Sequence, residues 1–84
     1  MLAQAIVNNE EKVVYTCPAG KKAYIFLHIY APSTSNTIIK INDIIYFSDG
    51  FSGLFIEKLN LDAGDTIKVS TDSAVNVFID GMEV

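Results

Sequence analysis

Residues Ala23–Tyr30 alternate between two apolar sets: Ile25, Leu27 and Ile29 on one side, and Tyr24, Phe26, His28 and Tyr30 on the other. Successive side chains of a strand point to opposite faces, so this pattern predicts a strand that is apolar on both. An antiparallel strand in a small domain ordinarily buries one face and wets the other. A chain of 84 residues has little material with which to cover both. The expected cover for the aromatic side is a second copy of the chain or a partner.

Size sharpens that expectation. The chain is long enough for one domain, spanning 1–84, and not for two separate cores. Domains below about 80 residues usually gain stability from disulfides, a metal or oligomerisation. A single Cys, Cys17, cannot form an internal disulfide, and one Cys with one His cannot supply the roughly four ligands of a structural zinc site. Oligomerisation is the remaining device, and no cofactor is expected.

Charge narrows the partners. The formal net charge is −4, the six lysines are scattered and there is no Arg. Nucleic-acid binders concentrate basic side chains on one face, and Arg is the commonest reader of guanine edges, so nucleic acid is not an expected partner. The absence of a basic patch likewise speaks against a membrane surface. No apolar run reaches the 18 or so residues of a transmembrane helix, and Met1–Ala5 lacks the charged and apolar regions of a signal peptide. Synthesis in the cytoplasm without a signal peptide is the expectation.

Strand signals dominate, with turn-forming clusters every 8 to 12 residues. Strands are predicted near Ala3–Val7, Lys12–Cys17, Ala23–Ala31, Thr37–Ile41, Ile44–Phe47, Leu54–Asn60, Thr66–Thr71 and Val75–Met82. Asn42-Asp43 suits a two-residue hairpin turn. Thr66–Thr71 and Val75–Met82 are expected to pair as a hairpin through Asp72-Ser73-Ala74. The fold class expected is all-β, a small antiparallel β-sandwich of jelly-roll type with about eight short strands, a small open barrel being the alternative.

The same strand frame constrains the candidate chemistry. If Pro18–Lys21 joins the second and third strands as a hairpin, Tyr15 faces Tyr24, Val13 faces Phe26 and His28 faces Glu11. Cys17 and His28 are then about 20 Å apart at roughly 3.3 Å per residue, too far for a thiolate–imidazole pair. Cys17 is expected to be a packing residue, and His28 an interface residue near Glu10 or Glu11. Asp62-Ala63-Gly64-Asp65 reads as a turn, with Gly64 at positive φ and Asp side chains bonding local amides. Asp49-Gly50-Phe51-Ser52-Gly53 reads as a loop carrying Phe51 as a candidate contact, against the alternative that Phe51 plugs the core. No nucleophile, phosphate-loop or metal motif is present, so no enzyme is expected. The predicted interface comprises Tyr15, Tyr24, Phe26, His28 and Tyr30.

Two fragments carry a resemblance. Val14-Tyr15-Thr16-Cys17-Pro18-Ala19-Gly20-Lys21-Lys22-Ala23-Tyr24-Ile25 resembles the strand–Pro-x-Gly-Lys–strand opening of small β-sandwich accessory proteins of tailed-bacteriophage particles. Leu59–Val69, with Leu61-Asp62-Ala63-Gly64-Asp65, is similar to their Leu-x-Ala-Gly-Asp turn, and Asn42 before Ile44-Ile45-Tyr46 and the ending Asp80–Val84 extend the likeness over nearly the whole chain. The resemblance implies a homo-oligomeric virion protein, attached to capsid or tail as a decoration, head-fibre or tail-associated subunit, with no catalytic residues. The alternative it leaves is a carbohydrate- or receptor-binding module, in which Tyr and Phe would stack on a glycan although Trp is absent.

Overall fold

A computed structural model describes all 84 residues as six antiparallel strands forming a sheet nearly closed into a barrel. The strands are β1 (Ala3–Val7), β2 (Glu11–Thr16), β3 (Ala23–Ile41), β4 (Ile44–Leu61), β5 (Thr66–Thr71) and β6 (Val75–Glu83). β3 and β4 form one long hairpin across Asn42-Asp43, where both residues have positive φ, 52° and 65°. That backbone matches a two-residue turn following the twist of its strands. Asn42 secures it: its side chain accepts from the Thr66 amide at 3.0 Å and donates to Asp65 at 2.8 Å.

Nineteen residues of straight strand would run about 60 Å at roughly 3.3 Å each, whereas the molecule is 37 Å in its longest dimension. The hairpin therefore bends. The corner lies where Pro32, Ser33 and Thr34 lack partners on β4, between the pairs Ala31–Gly53 and Ser35–Phe51. Pro32 has no amide to leave unpaired, and Gly53 takes φ +93°. Asp72 holds the corner, accepting from the Asn36 amide at 2.9 Å and the Asn36 side chain at 2.7 Å.

The bend divides the sheet into two halves. Ala23–Tyr30 of β3 lies between the second part of β4 and β6, and β6 in turn pairs with β1. Thr37–Ile41 lies between the first part of β4 and β5, and β5 pairs with β2. Inward residues of both halves, Ile25, Leu27, Ile29, Ile39, Ile67, Val69, Val75, Val77 and Ile79 among them, form one core. Each such side chain contributes about 1.5–3 kcal/mol through removal from water. The buried Ser35, Thr37 and Thr71 hydroxyls all have partners.

Three expectations are corrected. Six strands replace eight, because Pro32–Asn36 and Ser48–Gly50 stay extended as corners and paired strand instead of forming loops. β2 does not pair with β3. Its end is tied to the Asp62–Asp65 turn, with the Cys17 amide donating to Asp65 O and the Gly64 amide to Cys17 O, both at 2.9 Å, so β2 continues alongside β5. β5 and β6 do not pair with each other either; Asp72-Ser73-Ala74 crosses between the halves. The Asp62–Asp65 turn itself forms as read, with Gly64 at φ +84° and Asp65 accepting from the Asp62 amide at 2.8 Å.

Candidate interaction face

Paired residues of antiparallel strands share a face, so the register around Ala23–Tyr30 defines the outward surface of the first half. Tyr24 stands between Met82 and Asn60, Phe26 between Asp80 and Lys58, His28 between Phe78 and Ile56, and Tyr30 between Asn76 and Leu54. Tyr24, Phe26 and Tyr30 are 42, 46 and 45% exposed, and Leu54, Ile56 and Met82 more than half. A shallow depression between β1 and β6, lined by Gln4, Ala5, Ile6, Asn76 and Phe78, continues the surface. The rings alone leave roughly 250 Å² open if each side chain carries about 200 Å². Adding the aliphatic neighbours takes the patch to the upper end of what monomers tolerate, a few hundred Å².

Tyr15 does not belong to this face. With β2 paired to β5, its ring enters the core at 7% exposure, and its hydroxyl donates to the Glu83 carboxylate. Burial first, and then that bond, push its pKa well above the ordinary phenol value. His28 also has a different neighbour from the one expected: Asp80 of β6, with Nε2 3.8 Å from Oδ2, not Glu10 or Glu11. Leu54, Ile56, Phe78 and Met82 were not expected on this face. Their alternation was readable, but only the correct strand neighbours bring them beside the tyrosines.

Cys17 is buried, facing inward while His28 faces out, so no thiol–imidazole pair forms. Burial, then the carboxylates of Glu83, Asp65 and Asp62, push its thiol pKa up, the reverse of what activates a nucleophile. Its Sγ lies 3.5 Å from Lys21 O. No group of three or more His, Cys, Asp or Glu is placed to hold a metal ion.

Phe51 is corrected as well. It lies within β4, not on a loop, and is half-buried beside Phe47 and Phe55, at centroid distances of 6.1 and 5.8 Å. Phe47 and Phe55 are 4.6 Å apart. These three rings, from the two parts of β4, fill the seam where the sheet fails to close. Tyr46 and Glu57 meet over the same seam; burial first, then Glu57, raises the Tyr46 pKa.

The geometry thus defines a class only: an all-β, antiparallel, nearly closed barrel with one apolar outward face. No protein-family model, curated protein or solved structure matches the chain.

Proposed function

We propose that the chain is a non-enzymatic structural subunit that self-associates through the outward face of Tyr24, Phe26, His28 and Tyr30, and that it serves as an accessory protein of a tailed-phage virion, on capsid or tail. The observation that carries the self-association is the continuity of that face over the pairs His28–Phe78, His28–Ile56 and Tyr30–Leu54. A dimer interface needs about 500 Å² or more from each partner. The apolar patch with its polar rim of Asn60, Asn76 and Lys58 is of that order, and Tyr combines an apolar body with a polar tip suited to such a surface.

The virion assignment rests on the resemblance in the turn sequences. The strand order is compatible with it. Counting the straight parts of β3 and β4 separately gives one layer ordered β1, β6, first β3, second β4, and another ordered β2, β5, second β3, first β4. We read this order as a jelly roll, in which each layer interleaves strands from both ends of the chain.

Sedimentation equilibrium of the wild type and of Phe26→Glu tests the reading. The wild type is expected to be oligomeric at micromolar concentration, and the variant to form a smaller assembly with its unfolding midpoint preserved. A wild type that stays monomeric overturns self-association; a variant that unfolds outright assigns the face to the protomer's own core. For the virion, the neighbouring genes decide: flanking capsid or tail genes support it, and a setting among unrelated metabolic genes removes it.

A further inference from the structure

The outward face is not the only unpartnered surface. β4 hydrogen-bonds to β3 alone, and no backbone bond outside that pairing involves any residue from Ile44 to Leu61. Its other edge therefore presents free N–H and C=O groups, interrupted by the extra residue Tyr46 and by the corner at Ser52, after which the strand runs regularly to Leu61. Edges of this kind template pairing with another strand unless Pro, charge, a bulge or a covering segment blocks them. β4 contains no Pro, and from Ile44 to Ile56 its one charged residue is Asp49. Behind the edge, Phe47, Phe51 and Phe55 remain half-buried.

We infer that a second copy of this chain adds to β4, antiparallel, across a two-fold axis normal to the sheet and centred on Phe55. Such an axis pairs outward residues with outward and inward with inward, which restricts the registers. Centring on Glu57 or Lys58 sets like charges directly opposite, and centring on Ile56 sets Leu54 against Lys58. Centring on Leu54 wastes Phe55 against Gly53. The register about Phe55 sets Leu54 against Ile56 twice and Phe55 on Phe55, within the straight part of β4 that follows the corner at Ser52 and Gly53. Apolar pairs directly opposite stabilise a sheet and like charges destabilise it, so the sequence of this edge is self-complementary in that register. The second copy also covers the three rings at the seam. The occupant is a copy of this chain because the edge matches itself. An extended segment of another protein would have no such constraint.

This edge adjoins the outward face and shares Leu54 and Ile56 with it, while strand addition leaves Tyr24, Phe26, Tyr30 and the β6 side of that face open. A subunit using both builds an extended array, not a closed dimer.

Disulfide trapping tests the inference. A Leu54→Cys chain is mixed with an Ile56→Cys chain under mild oxidation, with the wild type, whose Cys17 is buried, as the background control. The mixture is expected to give a covalent heterodimer at least tenfold above either chain alone. The experiment is repeated with Phe26→Glu in both chains: trapping there persists if β4 pairing stands, whatever becomes of the outward face. A yield in the mixture no higher than that of the separate chains overturns the register. As a second measurement, Leu54→Lys should weaken association by roughly tenfold by placing Lys opposite Ile56 in two symmetry-related pairs, and adding Ile56→Glu should restore it beyond the effect of Ile56→Glu alone. No coupling between the two positions counts equally against the pairing.

Discussion

The barrel has two edges, and they are treated in opposite ways. On one side β1 and β2 are short, and the gap between them is tied. Lys12 Nζ donates to Ile6 O at 3.0 Å, the Thr71 amide to Glu10 O at 3.1 Å, and the Thr71 hydroxyl to Val7 O at 3.2 Å. Glu11 pairs with Lys40 at 3.0 Å beside them. On the other side β4 runs its whole length with one neighbour, and from Ile44 to Ile56 Asp49 is its one charge. Short strands and Lys on an edge are the usual protection against unwanted pairing. One edge of this chain has that protection and the other lacks it, which marks the second as a surface for use. The same chain could have been protected on both sides at the cost of a few substitutions.

The largest expected effect comes from breaking the tied side. β6 approaches β3 closely at Gly81, which pairs with Ile25 at φ +141°. A Cβ there would sit 2.1 Å from Tyr24 O and 2.8 Å from Ile25 Cα. These are backbone atoms of a central strand and cannot step aside. Gly81→Ala is expected to lose about 2–4 kcal/mol, combining an unfavourable φ with overpacking. Urea unfolding in the Phe26→Glu background, at one fixed protein concentration, checks this: a lower midpoint with an unchanged slope is the expected result. An unaltered midpoint would mean that β6 is held less closely than the register requires.

How much of this was readable beforehand follows from what alternation can encode. The inward sets Ile25/Leu27/Ile29, Ile67/Val69 and Val75/Val77/Ile79 were legible because period two fixes faces. The turns at Asn42-Asp43 and Asp62–Asp65 were legible because their residues carry their own conformations. Which strand lies beside which was not. A strand with one apolar face is satisfied by any neighbour of suitable length, and the chain crosses between halves at Pro18–Lys22 and Asp72–Ala74, where a hairpin was expected. The clasp that sets β3 beside β6, Lys22 N to Val84 O and Val84 N to Lys22 O at 2.8 Å, joins residues from distant parts of the chain. Tyr15 was misplaced by that error alone. Phe78 was seen to alternate outward, but without β6 beside β3 nothing linked it to His28.

An intermediate effect is expected where the tied side joins the two halves through side chains. Tyr15 on β2 and Glu83 on β6 are bonded across the interior end of the barrel. Tyr15→Phe keeps the ring and removes the bond, for an expected loss of about 1 kcal/mol. The pH dependence supplies a second signature. Because the folded state raises the Tyr15 pKa, chiefly by burial, the unfolded phenol ionises first as pH climbs past about 10. Folding stability falls from that point upward, since the unfolded state then holds fewer protons. The alkaline loss measured by thermal unfolding should be shallower in Tyr15→Phe than in the wild type; an identical slope would detach Tyr15 from it.

The smallest effect concerns the β3 corner, which Asp72 holds while β4 turns the same corner with a backbone–carboxylate contact only from Asp49 to its neighbour Gly50. The amide of Asn36, and then its side chain, hold the Asp72 pKa below its ordinary value. A depressed carboxylate contributes stability that is complete above the unfolded pKa, near 3.9, and is lost as pH falls through the folded one. The Asn36 amide is the reporter, because its N–H donates directly to Oδ1. Its NMR shift should titrate with a midpoint below 3.8, and Asp72→Asn should abolish that titration and flatten the acid limb of the stability curve. Amides of Ile44–Ile56 on the bare edge, apart from Gly50, which donates to Asp49 Oδ1 at 2.8 Å, should pass through the same range with little change. If they move together with Asn36, the corner couples the two edges, and protonating Asp72 would loosen the surface on which β4 pairing depends.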